Sequence, residues 1–107
     1  MRGFKSINKK KLPRGFKFDR ISKKGKIDDG TFVADYGATF ESRALPSYYN
    51  NQDIFEKIEY EVLIDIEGVV YGDAIPWFGQ NITGRQYELP DEIYILLDIT
   101  KQIKKTN

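Results

Sequence analysis

Residues 58–66 place apolar side chains at every second position, a pattern that restricts the segment to a β-strand with one buried side. All but one of the intervening side chains are acidic, so the other side of this strand should face water. Gly68 follows, and we expect a returning strand to begin at Val69. The apolar positions are Ile58, Tyr60, Val62, Ile64 and Ile66, and the exception on the acidic side is Leu63.

Turn residues divide much of the remaining chain into short pieces, which favours strands over long helices. Asp29-Gly30 predicts a turn leading into a strand at residues 31–33, and residues 85–89 predict another strand that Pro90 closes. The C-terminal apolar residues fit either helical spacing from Ile93 to Ile103 or strand alternation over residues 93–99, and we favour a short helix from Asp91. The expected fold class is a small α+β domain, mostly antiparallel β with short helices.

The composition excludes several kinds of chemistry. The 107 residues include no Cys and no His, so disulfides, thiolate metal sites, cysteine nucleophiles and Ser-His-Asp triads are ruled out. No apolar run approaches the roughly 20 residues of a membrane span, and we expect no membrane insertion by this domain. We expect no metal and no bound cofactor.

Charge is distributed very unevenly along the chain. Residues 1–26 hold eleven Lys and Arg against the single acid Asp19, whereas residues 27–98 hold fifteen acids against three bases. We predict that residues 1–11 form a basic linker and that residues 12–107 form the folded domain. This basic N-terminal arm could instead bind phosphates as part of a nucleic-acid-binding module. The acidic residues 27–98, which we call the acidic body, would however repel a polyanion. We expect no nucleic-acid partner.

Three short patterns are candidates for a ligand site. Trp77-Phe78 lies in a loop bounded by Pro and Gly, where the rings either plug a core or stack on a flat ligand ring. Gln86 and Glu88 should share one face of a strand, either as a plain wet face or as an amide and a carboxylate presented to a ligand. Arg43 is either paired with a neighbouring carboxylate or holds an anionic ligand.

Together these segments resemble the tuberculosis necrotizing toxin domain. The resemblance covers about residues 12–99 and is most specific in three blocks that occur in the family's order. They are Ser42-Arg43-Ala44-Leu45-Pro46, Pro76-Trp77-Phe78-Gly79-Gln80 and Gly84-Arg85-Gln86-Tyr87, supported by the segments from Gly15 to Ile21 and from Gly30 to Phe40.

This resemblance implies an NAD(P)+ glycohydrolase on a shortened, distant relative of the ADP-ribosyltransferase fold. NAD or NADP would be the substrate, cleaved to nicotinamide and ADP-ribose so that the target cell loses its NAD. The implied setting is the C-terminal part of a larger secreted toxin that acts in the target-cell cytoplasm, with a cognate immunity protein as partner. The implied catalytic residues are Gln86 and Arg43, and the implied substrate-binding residues are Trp77, Phe78, Arg20, Phe40 and Tyr49.

Two departures from the family pattern bear on the mechanism. A histidine implicated in one well-known member has no counterpart here, and the Gly-rich stretch before Gln86 is shortened to Asn81-Ile82-Thr83-Gly84. The reaction tolerates the missing histidine, because nicotinamide leaves as a neutral molecule and needs no general acid. Arg43 could then clamp the pyrophosphate, Gln86 could orient ribose or water, and Trp77 or Phe78 could face nicotinamide. An ADP-ribosyltransferase that uses Gln86-x-Glu88 is the alternative enzyme.

Overall fold

The computed structural model of this chain describes residues 8–40, 43, 45, 47–73 and 84–107, which form a seven-stranded antiparallel sheet. Across the sheet the strands lie in the order β1-β5-β6-β3-β2-β4-β7. In chain order they are β1 (Asn8–Leu12), β2 (Lys17–Lys23), β3 (Phe32–Asp35), β4 (Phe55–Val62), β5 (Ile66–Asp73), β6 (Arg85–Glu88) and β7 (Ile103–Lys105).

The expected α+β class with short helices is wrong. The structure is a mostly antiparallel β half-barrel, and its helical content within the described ranges is a 3₁₀ turn at Ser47–Asn50 and a π-helical turn at Ile95–Ile99. The π turn is closed by the N–H of Thr100, which donates to the carbonyl of Ile95 at 2.8 Å. Lys101 then adopts a left-handed φ of 59°, and the chain leaves as strand β7. The apolar spacing predicted the helical turn, but the reversal at Lys101 keeps it short.

The predicted strand over residues 58–66 is wrong in its length. Strand β4 ends at Val62, and Leu63 and Ile64 lie in the turn to β5, where their N–H groups donate to the carbonyl of Gln102. Ile64 is consequently 55% exposed rather than buried. Gly68, expected to precede the returning strand, lies inside β5 with a φ of 74°. The β1–β5 register shifts beside it, so this glycine marks a bulge.

One face of the sheet carries the hydrophobic core. Side chains opposite each other on antiparallel strands share a face, and the register places Phe18 with Tyr60 and Val33 with Tyr87 on this side. The segment around the π turn covers the same cluster through Ile93 and Leu96. The buried cluster comprises Leu12, Phe18, Val33, Tyr60, Val62, Ile66, Val69, Tyr87, Leu89, Ile93, Leu96 and Ile103.

The opposite face carries two buried polar side chains, Asp19 and Gln86, in a row of aligned residues that crosses four strands. The register aligns Asp19 of β2 with Ala34 of β3, Ala34 with Gln86 of β6, and Gln86 with Gly72 of β5. Asp19 and Gln86 are nevertheless 0% and 2% exposed. We call this side of the sheet the polar face.

The part of the basic N-terminal segment that the structure describes belongs to the sheet. Strand β1 begins at Asn8 and pairs with β5, so residues 8–11 of the predicted linker lie in this strand. The Lys10 ammonium lies 5.4–5.8 Å from the ring centroids of Phe16, Tyr71 and Tyr87. The ammonium of Lys11 lies 3.4 Å from a carboxylate oxygen of Asp65. Among the described residues, no helix is long and apolar enough to cross a membrane.

Candidate active site

Arg43 is held against the polar face by a buried ion pair. Its Nη1 atom lies 2.7 Å from Oδ1 of Asp19, and its Nη2 donates to the carbonyl of Ala38 at 2.7 Å. The other carboxylate oxygen of Asp19 accepts the N–H of Gly37 at 2.9 Å. The Arg43 and Asp19 side chains are 3% and 0% exposed, so both charges depend on each other for neutralisation.

Gln86 supports the same arrangement from the neighbouring strand. Its side-chain amide nitrogen donates to the main-chain carbonyl oxygen of Arg43. The ion pair fixes the Arg43 side chain, and the Gln86 bond fixes its backbone. The two residues predicted as catalytic are therefore in direct contact and are both anchored to the polar face.

A cavity of about 530 Å³ lies beside Arg43 and Gln86. Its volume is within the size range of small-molecule sites. Arg43, Ala38 and Phe40 contribute to its wall, and strands β2 and β4 contribute Ile21 and Lys57. The wall is completed by Lys24, Tyr49, Asn50, Gln52, Phe55 and Glu56.

Three aromatic rings form a cluster at this cavity. The ring centroids of Tyr49 and Phe55 lie 4.6 Å apart, and the Tyr48 ring lies 4.7 Å from that of Tyr49. Tyr49 and Phe55 line the cavity, whereas Tyr48 is 63% exposed. The 3₁₀ turn positions the two tyrosines, and the first residue of β4 supplies Phe55. The cluster presents aromatic surface suited to a flat ligand ring.

Arg20 lies on the other side of the sheet, because it alternates with Asp19 along β2. Its Nε donates to both carboxylate oxygens of Asp28 at 2.9–3.0 Å, and its Nη1 donates to the carbonyl of Phe32. Burial would raise the pKa of Asp28, but the hydrogen bonds from Arg20 and Ser22 and the Arg20 charge hold that pKa below its usual value. A Cβ atom at Gly30 would overlap the Arg20 guanidinium. In this structure Arg20 fastens the loop between β2 and β3.

The structure thus groups four of the residues predicted for the site. Phe40, Arg43 and Tyr49 line the cavity, and Gln86 contacts Arg43 from behind. Arg20 is separate from this group, although it lines a smaller cavity of about 250 Å³ together with Tyr49. Trp77 and Phe78 lie outside the described residues.

The arrangement predicted for residues 86–88 is confirmed. Gln86 and Glu88 face the polar side, while Tyr87 points into the core and donates its hydroxyl to a carboxylate oxygen of Asp35 at 2.7 Å. Burial, that hydrogen bond and the nearby Asp35 charge raise the pKa of the Tyr87 phenol well above its usual range. The two polar side chains differ in access, since Gln86 is buried whereas Glu88 is half-buried.

Sequence reasoning missed Asp19, Lys24 and Lys57 as members of the site. Asp19 had a signal, because it is the single acid among the first 26 residues. Lys57 had one too, since it is one of three bases in the acidic body. Lys24 had none, because it lies among many lysines in the basic segment.

The side chains of the site include uncharged polar, cationic and aromatic groups, which can bind and orient a ligand. Among the residues that the structure describes, the wall holds an arginine, two lysines, two amides, three aromatic rings and the carboxylate of Glu56. Within the described ranges, no cluster of three or more His, Cys, Asp or Glu side chains could hold a metal ion. These groups suit electrostatic support and positioning of a ligand.

Sequence comparison identifies the family. The chain matches the family model described as tuberculosis necrotizing toxin over residues 11–104. No curated protein matches the chain. The family match includes every residue that lines the cavity, and Gln86 as well. Because it covers most of the 107 residues, this protein belongs to the tuberculosis necrotizing toxin family.

Proposed function

We propose that this toxin-family domain is an NAD(P)+ glycohydrolase, which breaks the bond between nicotinamide and ribose and adds water to the ribose carbon. The products are nicotinamide, ADP-ribose and a proton. The observation that supports this most is the cavity of about 530 Å³ whose wall contains Arg43 and Phe40, beside the buried amide of Gln86. Arg43 and Gln86 belong to the sequence blocks by which the chain resembles the glycohydrolases.

The side chains present are sufficient for this reaction. Nicotinamide is cationic while attached to ribose and becomes neutral as it leaves, so no acid has to protonate it. A glycosidase acting on an ordinary sugar needs such an acid in addition to a second carboxylate. Here the remaining tasks are to orient the substrate and to support the positive charge that develops on ribose. A chain without His or Cys can perform both tasks.

In this proposal Arg43 and Gln86 act as a unit. Gln86 holds the main chain of Arg43, and Asp19 holds its guanidinium, so the cavity wall is rigid before substrate arrives. Groups that are already held in place orient a substrate without reorganising during the reaction. Gln86 is thus expected to affect turnover, whereas Glu88 is expected to belong to the acidic surface.

Two variants measured side by side test this proposal against an ADP-ribosyltransferase. Gln86→Ala is expected to lower kcat by about 100-fold, a typical cost of removing a preorganised polar group. Glu88→Gln is expected to keep most of the hydrolysis. Nicotinamide release and circular dichroism would be recorded for both proteins. An inactive Glu88→Gln protein beside an active Gln86→Ala protein, with label from NAD retained on protein, would favour the transferase.

The biological setting that we propose follows from the same family. The domain would be the C-terminal part of a larger secreted toxin that consumes NAD in the cytoplasm of a target cell. The producing cell would protect itself with an immunity protein that blocks the enzyme. Expression of the wild-type domain and of Gln86→Ala in separate bacterial cultures tests the first part, since only the active domain should lower cellular NAD and stop growth.

A further inference from the structure

We propose that Lys24 and Lys57, together with the rings of Tyr49 and Phe55, hold the adenosine diphosphate half of the substrate. This inference rests on the proposed glycohydrolase function, and it assigns the pyrophosphate contact to two lysines in place of Arg43.

The buried state of Arg43 is the first reason. Its two terminal nitrogens already contact Asp19 and the carbonyl of Ala38, and its side chain is 3% exposed. The Asp19 carboxylate also neutralises its charge. A pyrophosphate bound to this guanidinium would have to compete with a buried carboxylate 2.7 Å away. Arg43 is therefore better placed to shape the cavity wall than to hold a doubly anionic group.

Lys24 and Lys57 are the second reason. Both line the same cavity, and both are exposed, so their ammonium groups can meet a ligand that arrives from solvent. The ion pairs found between described residues involve Lys11, Arg20 and Arg43 as cations and include neither of these lysines. Among the described residues of the wall, Glu56 supplies one carboxylate against these two lysines, so their exposed charges are positive on balance. An anionic linker between two nucleosides would be attracted there.

The aromatic cluster is the third reason. The rings of Tyr49 and Phe55 line the cavity that the lysines line, and Tyr48 extends the cluster to the surface. Adenine is flat and presents a π face, which makes it a suitable stacking partner for these rings. A nucleoside diphosphate combines such a flat ring with a nearby anion. The cavity wall offers aromatic rings for the base and lysines for the anion.

The test measures nucleotide binding separately from turnover. Isothermal titration with ADP, which contains no bond to nicotinamide, would be performed on the wild-type domain and on Lys24→Met/Lys57→Met, which we call the cavity variant. Both lysines are exposed, so the double variant should fold. The matched control is Lys9→Met/Lys104→Met, which removes the same charge from exposed positions on β1 and β7.

We expect ADP to bind the cavity variant about 10- to 100-fold more weakly than the control, the size expected for losing charge-assisted contacts. The KM for NAD should rise by a similar factor, while kcat stays within about twofold because these contacts form equally in the ground and transition states. Tyr49→Leu should weaken ADP binding while inorganic pyrophosphate binding stays unchanged, since only ADP carries the ring.

The outcomes separate this inference from the proposed function. If the wild-type domain cleaves NAD but the cavity variant binds ADP as tightly as the control, the lysine subsite is wrong. A wild-type domain that fails to bind ADP overturns the subsite as well. If ADP binds the cavity variant more weakly than the control but no nicotinamide is released from NAD, the nucleotide subsite is supported and the glycohydrolase function is refuted.

Discussion

The buried pair between Asp19 and Arg43 allows a quantitative prediction about stability. Replacing Arg43 by Met keeps an unbranched apolar stem but removes the partner of a carboxylate that is 0% exposed. In this structure Asp19 would then retain the N–H of Gly37 as its hydrogen-bond donor. Breaking one side of a buried ion pair costs about 3–5 kcal/mol. A domain of this kind has a total stability of about 5–15 kcal/mol, so this single change should remove a large part of it.

The prediction requires that the orphaned charge causes the loss. Asp19→Asn/Arg43→Met removes both charges and should therefore recover at least about 1–2 kcal/mol relative to Arg43→Met, although it contains one more substitution. Urea unfolding followed by circular dichroism gives the free energy of unfolding for each protein. Arg14→Met, a substitution at an exposed arginine, is the control and should lie within about 0.5 kcal/mol of the wild type.

The reasoning is refuted if the double variant is no more stable than Arg43→Met. The result also bears on enzyme assays, because a loss of activity in an Arg43 variant cannot be assigned to substrate contact while part of the protein is unfolded. Arg43→Lys, which keeps the charge but not the planar fork, should be the more informative variant for activity once its folded fraction has been measured.

Three further predictions concern other parts of the fold. Arg20 and Ser22 lower the pKa of Asp28 in the folded state. The stability that ionised Asp28 contributes is therefore complete above its unfolded pKa of about 4 and is lost as the pH falls below that value. Asp28→Asn should consequently flatten the acid side of a stability–pH profile. Gly30→Ala should displace the Arg20 guanidinium from its partners and destabilise the domain by about 1–3 kcal/mol in urea titrations, and an unchanged midpoint would contradict the close packing at Gly30. Deleting residues 1–7 should preserve NAD turnover and the melting temperature. Deleting residues 1–11 removes most of β1 and should lower the melting temperature. Equal melting temperatures for the two deletions would show that β1 contributes little to stability.

Local patterns in the sequence predicted the strands well and the helical content badly. Alternation identified the buried side of β4, and the polar–aromatic–polar order of residues 86–88 identified the two faces of β6. The end of β4 could not be predicted, since Ile64 and Ile66 continue the apolar alternation. The turn at Leu63 and Ile64 depends on hydrogen bonds to the distant Gln102. The apolar spacing predicted a helical turn in the C-terminal segment, but its short length could not be predicted, because a left-handed Lys101 carries no sequence signal.

The candidate site shows the same division between local and long-range information. Arg43 and Gln86 were found from sequence blocks, and the structure brings them into contact. The partner of Arg43 is Asp19, which lies 24 positions earlier in the chain and is brought close only by the pairing of β2 with β3 and the return of the following segment. Spacing along the chain cannot reveal such a pair. From the sequence, Arg43 could have either a carboxylate partner or an anionic ligand, and the structure shows the carboxylate partner.

We propose that this chain hydrolyses the bond between nicotinamide and ribose. The most direct measurement incubates the purified wild-type domain with labelled NAD and quantifies nicotinamide, free ADP-ribose and protein-bound label in the same reaction by chromatography. We expect equal amounts of nicotinamide and free ADP-ribose, no label on protein, and a much lower rate for Gln86→Ala. Intact NAD after prolonged incubation with folded wild-type protein, or label that stays on protein in place of free ADP-ribose, would contradict it.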